Sequence, residues 1–164
     1  MQAAPLREDE SQRLAQWPAR LGAATSPLPA PSDGATTSIQ GMRVLVVDDN
    51  PMNRIVAERF LRDGGLRPQS VESAHEALLA LDSGEFDAVL MDLYMPEMNG
   101  DEAARRIRAR HGDALPIIGV SASVSADEER RCRDAGMNSF VPKPVDPVKL
   151  LEELARLLIY RAST

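Results

Sequence analysis

The chain has 164 residues, 43% hydrophobic and 27% charged, which is enough apolar material for one ordinary domain plus a tail and excludes a wholly disordered chain. A formal net charge of −6 argues against nucleic acid or an anionic membrane as a direct partner, because both reward a basic surface. The single cysteine, Cys132, allows no internal disulfide; no apolar run approaches the roughly 20 residues of a membrane span, no signal-peptide pattern opens the chain, and the expected location is the cytoplasm.

Residues 1–40 hold Pro5, Pro18, Pro27, Pro29 and Pro31 among Ala, Ser, Thr and Gly, and they read as a flexible linker. Within it Glu8 to Leu21 has some helical character, interrupted at Pro18, with Trp17 and Leu21 as docking candidates. From Met42 the pattern changes. Arg43 to Val47 is short, β-branched and bounded by polar residues, as a buried strand requires. Pro51 then opens a helix whose apolar face is expected to be Ile55, Val56, Phe60 and Leu61, ending at Gly64 and Gly65. The alternation continues with a strand over Pro68–Val71, a helix over Ala74–Leu81, a strand over Asp87–Met91 and a helix over Asp101–Arg110. It closes with a strand over Pro116–Val120, a helix over Ala126–Ala135, a strand over Ser139–Val141 and a helix over Pro147–Ile159.

Five strands alternating with five helices predict an α/β domain over residues 41–160, with a parallel sheet and helices on both faces; residues 161–164 form a tail. Ligands of such sheets collect at the carboxyl ends of the strands. Those ends carry Asp48 and Asp49, Asp92, Ser121 and, close after the fifth strand, Lys143. Three carboxylates on one rim repel one another unless a cation is present, and an all-oxygen cluster with open positions suits magnesium, which takes its remaining ligands from water and phosphate. Asp92 is then the expected nucleophile, forming an acyl phosphate, with Lys143 and the metal neutralising its oxygens and Ser121 hydrogen-bonding a third. Singly, each residue has a plainer reading: Asp49 as a helix cap, Ser121 as part of the next turn, Lys143 as a solvated charge.

Val44-Leu-Val-Val-Asp48-Asp49-Asn50, Leu90-Met-Asp92-Leu-Tyr94-Met95-Pro96-Glu-Met-Asn-Gly100, Gly119-Val-Ser121-Ala122 and Pro142-Lys143-Pro144-Val145 together resemble the receiver domain of two-component response regulators, from about Met42 to Tyr160. The resemblance implies a flavodoxin-like, doubly wound five-stranded sheet of order 2-1-3-4-5 that accepts phosphate on Asp92 from a histidine kinase or histidine phosphotransfer domain. It implies magnesium on Asp49, Asp92 and the Tyr94 backbone carbonyl, with Asp48 acting through water, and a cis bond before Pro144. Ser121 and Phe140 would form the switch, Ser121 moving toward the phosphate and Phe140 rotating into the space it leaves. Tyr94 and Ser123 hold the positions expected to modulate phosphate lifetime, Tyr94 by screening the acyl phosphate from water and slowing its loss.

The run Asp49-Asn50-Pro51-Met52-Asn53-Arg54 resembles receivers fused to hybrid sensor histidine kinases. That likeness makes Ala4-Pro5-Leu6-Arg7 the end of a preceding kinase domain, and the whole the cytoplasmic part of a membrane-bound sensor kinase. A phosphotransfer helical bundle would dock on the first helix through Met52, Ile55 and Val56. By itself the domain is expected to be no enzyme beyond its own phosphorylation and dephosphorylation. The alternative is a pseudo-receiver that binds partners without phosphorylation. A haloacid-dehalogenase-type phosphatase expects a second Asp where Tyr94 stands, and a nucleotide-binding domain needs a glycine-rich first turn that Asp48-Asp49-Asn50-Pro51 lacks. His75 and His111 have no metal-ligand spacing and read as solvent-facing, and Met95–Met98 as a packed loop.

Overall fold

The computed structural model describes residues 39–123 and 125–162, without the side chains of 160–162. The proline-rich run before Ile39, with its helical stretch Glu8–Leu21, and the last two residues of the tail lie outside the described residues. The elements in chain order are β1 (Arg43–Val47), α1 (Pro51–Asp63), β2 (Arg67–Val71), α2 (Ala74–Ser83), β3 (Ala88–Asp92), α3 (Gly100–His111), β4 (Ile117–Ser121), α4 (Ala126–Asp134), β5 (Ser139–Pro142) and α5 (Pro147–Ala162). All strand pairings are parallel, and the sheet order is β2-β1-β3-β4-β5.

The alternation of side chains along the strands divides the core in two. Leu45, Val47, Val89 and Met91 point to one face and meet Leu78 of α2, Ile107 of α3 and Cys132 of α4. Val44, Val46, Leu90 and Ile118 point to the other and meet Leu61 of α1 and Leu150 and Leu154 of α5. Each fully buried Leu or Ile adds about 1.5–3 kcal/mol over leaving it exposed, so the two layers fix the strand ends firmly.

The folded unit takes in Ile39 and Gln40, which the composition assigns to the linker. Ile39 is fully buried in the α1–α5 layer, and Gln40 Nε2 donates to the Gly64 carbonyl at 3.0 Å. A single apolar residue in a proline-rich context carries no periodicity, so nothing local marks it as core. On α1 the buried residues are Ala57 and Leu61, while Met52 is 63% and Ile55 60% exposed. The expected apolar face is therefore rotated: Ile55 and Val56 face outward, and the smaller Ala57 lets the helix approach the sheet closely. β2 lies at an edge of the sheet, and its residues Arg67, Pro68, Gln69 and Ser70 are exposed or partly so.

At the end of the sheet opposite the strand carboxyl ends, Arg108 ties three segments together. Its Nε donates to Gly136 O at 2.9 Å, Nη1 to Leu115 O at 2.6 Å and Nη2 to Asn138 Oδ1 at 2.7 Å.

Candidate functional site

Two of the rim residues expected just beyond the strands are the last residues of their ladders. Asp92 pairs with Val120 and Ser121 with Pro142. Parallel hydrogen bonds from β4 and β5 carry the strands one residue further than the apolar run extends, so both side chains are anchored by sheet rather than loop.

Asp48, Asp49 and Asp92 each offer a carboxylate oxygen, and these oxygens lie within 4.8 Å of one another. Asp48 and Asp92 are buried and Asp49 is exposed. Lys143 Nζ reaches across from the β5–α5 loop to Asp92 Oδ1 at 3.1 Å and Asp48 Oδ2 at 3.4 Å. Its backbone N–H donates to Ser121 O at 2.8 Å, and the Lys143–Pro144 bond is cis. Burial, and then the neighbouring Asp48 charge, push the Asp92 carboxyl up from 3.8 to about 6, against the opposing pull of Lys143 and of the Tyr94 backbone amide. Asp92 is therefore mostly ionised at neutral pH, at a cost set chiefly by its burial and only partly offset by Lys143.

The local chemistry of β1 and α1 separates the acidic pair from simple capping. Asn50, not Asp49, caps α1, its Oδ1 accepting from the Met52 N–H at 2.9 Å. Asp48 Oδ1 accepts from the Asn50 N–H at 2.9 Å, which holds the turn, and its other oxygen faces Lys143. Arg54, which no sequence motif singles out, donates from Nη1 to the Asp48 carbonyl at 2.8 Å and braces the same turn. A cleft of about 290 Å³ runs from Asp48, Asp92 and Lys143 to the apolar side chains of Val56, Phe60 and Val145.

The remaining expected residues are arranged unevenly. Ser121 is buried, and its Oγ accepts from the Ser123 N–H at 3.2 Å; among the described residues its hydroxyl proton has no acceptor. Ser123 is exposed. Phe140 is already inside, in the layer with Met91 and Cys132, against Gly119, where a methyl would sit 3.2 Å from its ring. The Tyr94 ring, 49% exposed, does not line the cleft that holds Asp92. Its hydroxyl donates instead to Glu128 Oε1 on α4, and that carboxylate pushes the phenol above its usual range. Gly100, at the start of α3, sits where a Cβ would lie 2.3 Å from the Asp92 carbonyl, and its N–H donates to Leu93 O at 2.8 Å. The loop after β3 folds back onto its own strand, and only glycine permits that approach.

Met95 is buried and Met98 packs against the same layer. His75 is exposed, whereas His111 is partly covered and lies 3.3 Å from Asp82. Cys132 is fully buried, and burial pushes its thiol up to about 12. Among the described residues no helix is long and apolar enough to cross a membrane.

Residues 44–155 match the family model of the response regulator receiver domain. The chain is 36% identical over 124 residues to the sensory/regulatory protein RpfC of Xanthomonas campestris pv. campestris, a match covering 74% of this chain and 17% of that protein. It is 36% identical over 121 residues to the sensor histidine kinase GacS of Pseudomonas protegens, covering 71% of this chain and 13% of that protein. The chain thus spans less than a fifth of the length of these curated relatives. Among solved structures, the receiver domain of sensor histidine kinase PA1611 from Pseudomonas aeruginosa, with magnesium coordinated in its active-site cleft, is 35% identical. It superposes with a TM-score of 0.67 over 72% of this chain and 98% of that one. The chemotaxis protein CheY4 of Vibrio cholerae gives 0.69 at 27% identity, over 71% and 98%.

Proposed function

Since the chain belongs to the response regulator receiver family, we propose that this two-component receiver takes its phosphoryl group on Asp92 from a phosphohistidine donor. The observation that carries this reading is the position of Lys143, whose ammonium spans Asp92 and Asp48 at the mouth of a buried acidic cluster.

Asp92 is ionised above about pH 6 and so presents a carboxylate oxygen as nucleophile. That oxygen forms the new bond to phosphorus while the bond from phosphorus to the donor imidazole nitrogen breaks, and the bonding pair leaves with the nitrogen. Lys143 follows the charge from the carboxylate to the phosphoryl oxygens. Ser121 still has its proton to donate to one of those oxygens, giving up its present role in the turn to Ser123. Three carboxylates with mutually close oxygens, all hard donors with one exposed member, fit a magnesium ion. Asp49 and Asp92, with the Tyr94 carbonyl and Asp48 in support, are the residues to hold it. When bound, the ion supplies positive charge to the oxygens of the transferring group.

Likeness to RpfC and GacS supports a parent protein in which this receiver, from about residue 39 onward, follows a sensor histidine kinase on the cytoplasmic side. The donor is then a histidine kinase or a histidine phosphotransfer domain. Docking on α1 through Met52, Ile55 and Val56 is supported by their exposure beside the acidic rim. Ser121 and Phe140 form the switch, and Tyr94 and Ser123 modulate the lifetime of the phosphate.

Incubation with acetyl phosphate and magnesium, followed by intact mass, tests the reading. The parent should gain one phosphoryl group and Asp92→Asn none. No adduct on the parent, or an equal adduct on the variant, refutes it.

A further inference from the structure

Glu128 stands at the junction of the two loops that flank Asp92. Its Oε1 accepts the hydroxyl of Tyr94, from the loop after β3. Its Oε2 accepts from the Ser125 N–H at 3.3 Å, while Ser125 Oγ caps α4 through the Glu128 N–H at 3.1 Å. The capping box would by itself explain a glutamate here. It does not explain why the side chain is buried and also holds a tyrosine 34 positions earlier. Tyr94 lies with Leu93, Asp101, Arg131 and Cys132 in a groove against α4, separate from the cleft that contains Asp92. About half of Tyr94 is exposed, and what holds it there is its hydroxyl, bonded to Glu128 with Arg131 of the same helix as a second polar partner.

We propose that Glu128 is a positioning residue for phosphate lifetime: by tethering Tyr94 to α4 it keeps the ring off the mouth of the Asp92 site and leaves that mouth open to water. The inference rests on Asp92 being the phosphoacceptor. In hydrolysis a water oxygen bonds to phosphorus, the bond from phosphorus to Asp92 breaks and its electron pair returns to the carboxylate, and both water protons leave on the released dihydrogen phosphate. Water must reach the side of phosphorus remote from Asp92. Tyr94 follows Asp92 by two residues, and its backbone amide already touches the Asp92 carboxylate, so a freed ring has the mouth within its reach. Exposed side chains change rotamer within nanoseconds, far faster than hydrolysis, so the rate reports the fraction of time the mouth is covered.

The test follows loss of phosphate from Asp92 by intact mass, after removal of acetyl phosphate, in the parent and five variants. A ring that covers the mouth about two-thirds of the time slows the loss about threefold, and this is the result expected for Glu128→Ala and for Tyr94→Phe. The double variant should be no slower than either single one. Glu128→Gln, whose amide oxygen still accepts the hydroxyl, should lose phosphate at the parent rate. Ser125→Ala breaks the cap and one contact to Glu128 Oε2 but leaves Oε1 on the Tyr94 hydroxyl, and it should lower thermal stability at an unchanged rate. Parent rates in both Tyr94→Phe and Glu128→Ala, or additive slowing in the double variant, overturn the inference and leave the phosphoacceptor reading intact. No adduct on the parent overturns both.

Discussion

Replacing Asp92 with Asn is expected to stabilise the magnesium-free protein at neutral pH, because the parent folds with an ionised carboxylate in a place that disfavours charge. Burial and Asp48 raise the Asp92 carboxyl from 3.8 to about 6. A raised folded value means that the native state binds the proton more tightly than the unfolded chain. The stability this supplies is complete below about pH 3.8 and is lost as pH rises through about 6. At about 1.4 kcal/mol for each tenfold change in proton affinity, the loss reaches about 3 kcal/mol by pH 7.5. Asn has the shape and charge of the protonated acid and escapes that loss. Urea unfolding in the presence of EDTA should show the variant more stable than the parent by about 3 kcal/mol at pH 7.5 and by about 1 kcal/mol at pH 4.5. Comparing the two proteins at each pH cancels the titration of carboxylates remote from Asp92. An Asn variant no more stable than the parent at pH 7.5, or a gain equal at the two pH values, would refute the account of Asp92 as a buried charge held at a cost.

Three further outcomes follow from other parts of the molecule. Gly100→Ala sets a methyl 2.3 Å from the Asp92 carbonyl and should lower stability by about 1–3 kcal/mol, read by urea unfolding, along with phosphoryl uptake at the displaced Asp92. Met52→Glu, at an exposed position on α1, should slow transfer from a phosphotransfer partner severalfold while changing stability by less than about 0.5 kcal/mol; a matching loss of stability would make Met52 a core residue instead. The Cys132 thiol, buried and pushed up to about 12, should resist a disulfide reagent at pH 8 until the protein unfolds, and rapid labelling of the native protein would contradict its burial.

Most of the architecture was readable because its signals are local and repeated. Short β-branched runs, helices opened by Pro51 and Pro147 and closed at Gly64 and Gly136, and polar residues at each strand end set both the element order and the acidic rim. Other features depend on distances that no local pattern encodes. Val56 and Ala57 differ by one position, about 100° around a helix, and the larger side chain faces outward because the close approach of α1 to the sheet suits alanine. Ile39 is core because it is buried in one cluster with Leu61, Leu150 and Leu154, residues distant in the chain. Tyr94 reads naturally as a screen over its neighbour Asp92, and its actual partner lies on a helix that chain order does not bring near. The capping box of Ser125 and Glu128, which the sequence pattern above does not single out, fixes the Glu128 carboxylate at the start of α4 without saying what else it holds.

The edge formed by β2 bears on how the domain behaves when crowded. An open strand edge is a template on which another chain can add, and long apolar edges of this kind seed amyloid-like growth. β2 is five residues long, begins with a charge at Arg67, lacks a backbone donor at Pro68 and follows with Gln69 and Ser70. A strand from a neighbouring molecule would find a missing hydrogen bond and little apolar surface there. At high concentration, for example in overproducing cells, this edge should therefore resist fibril formation.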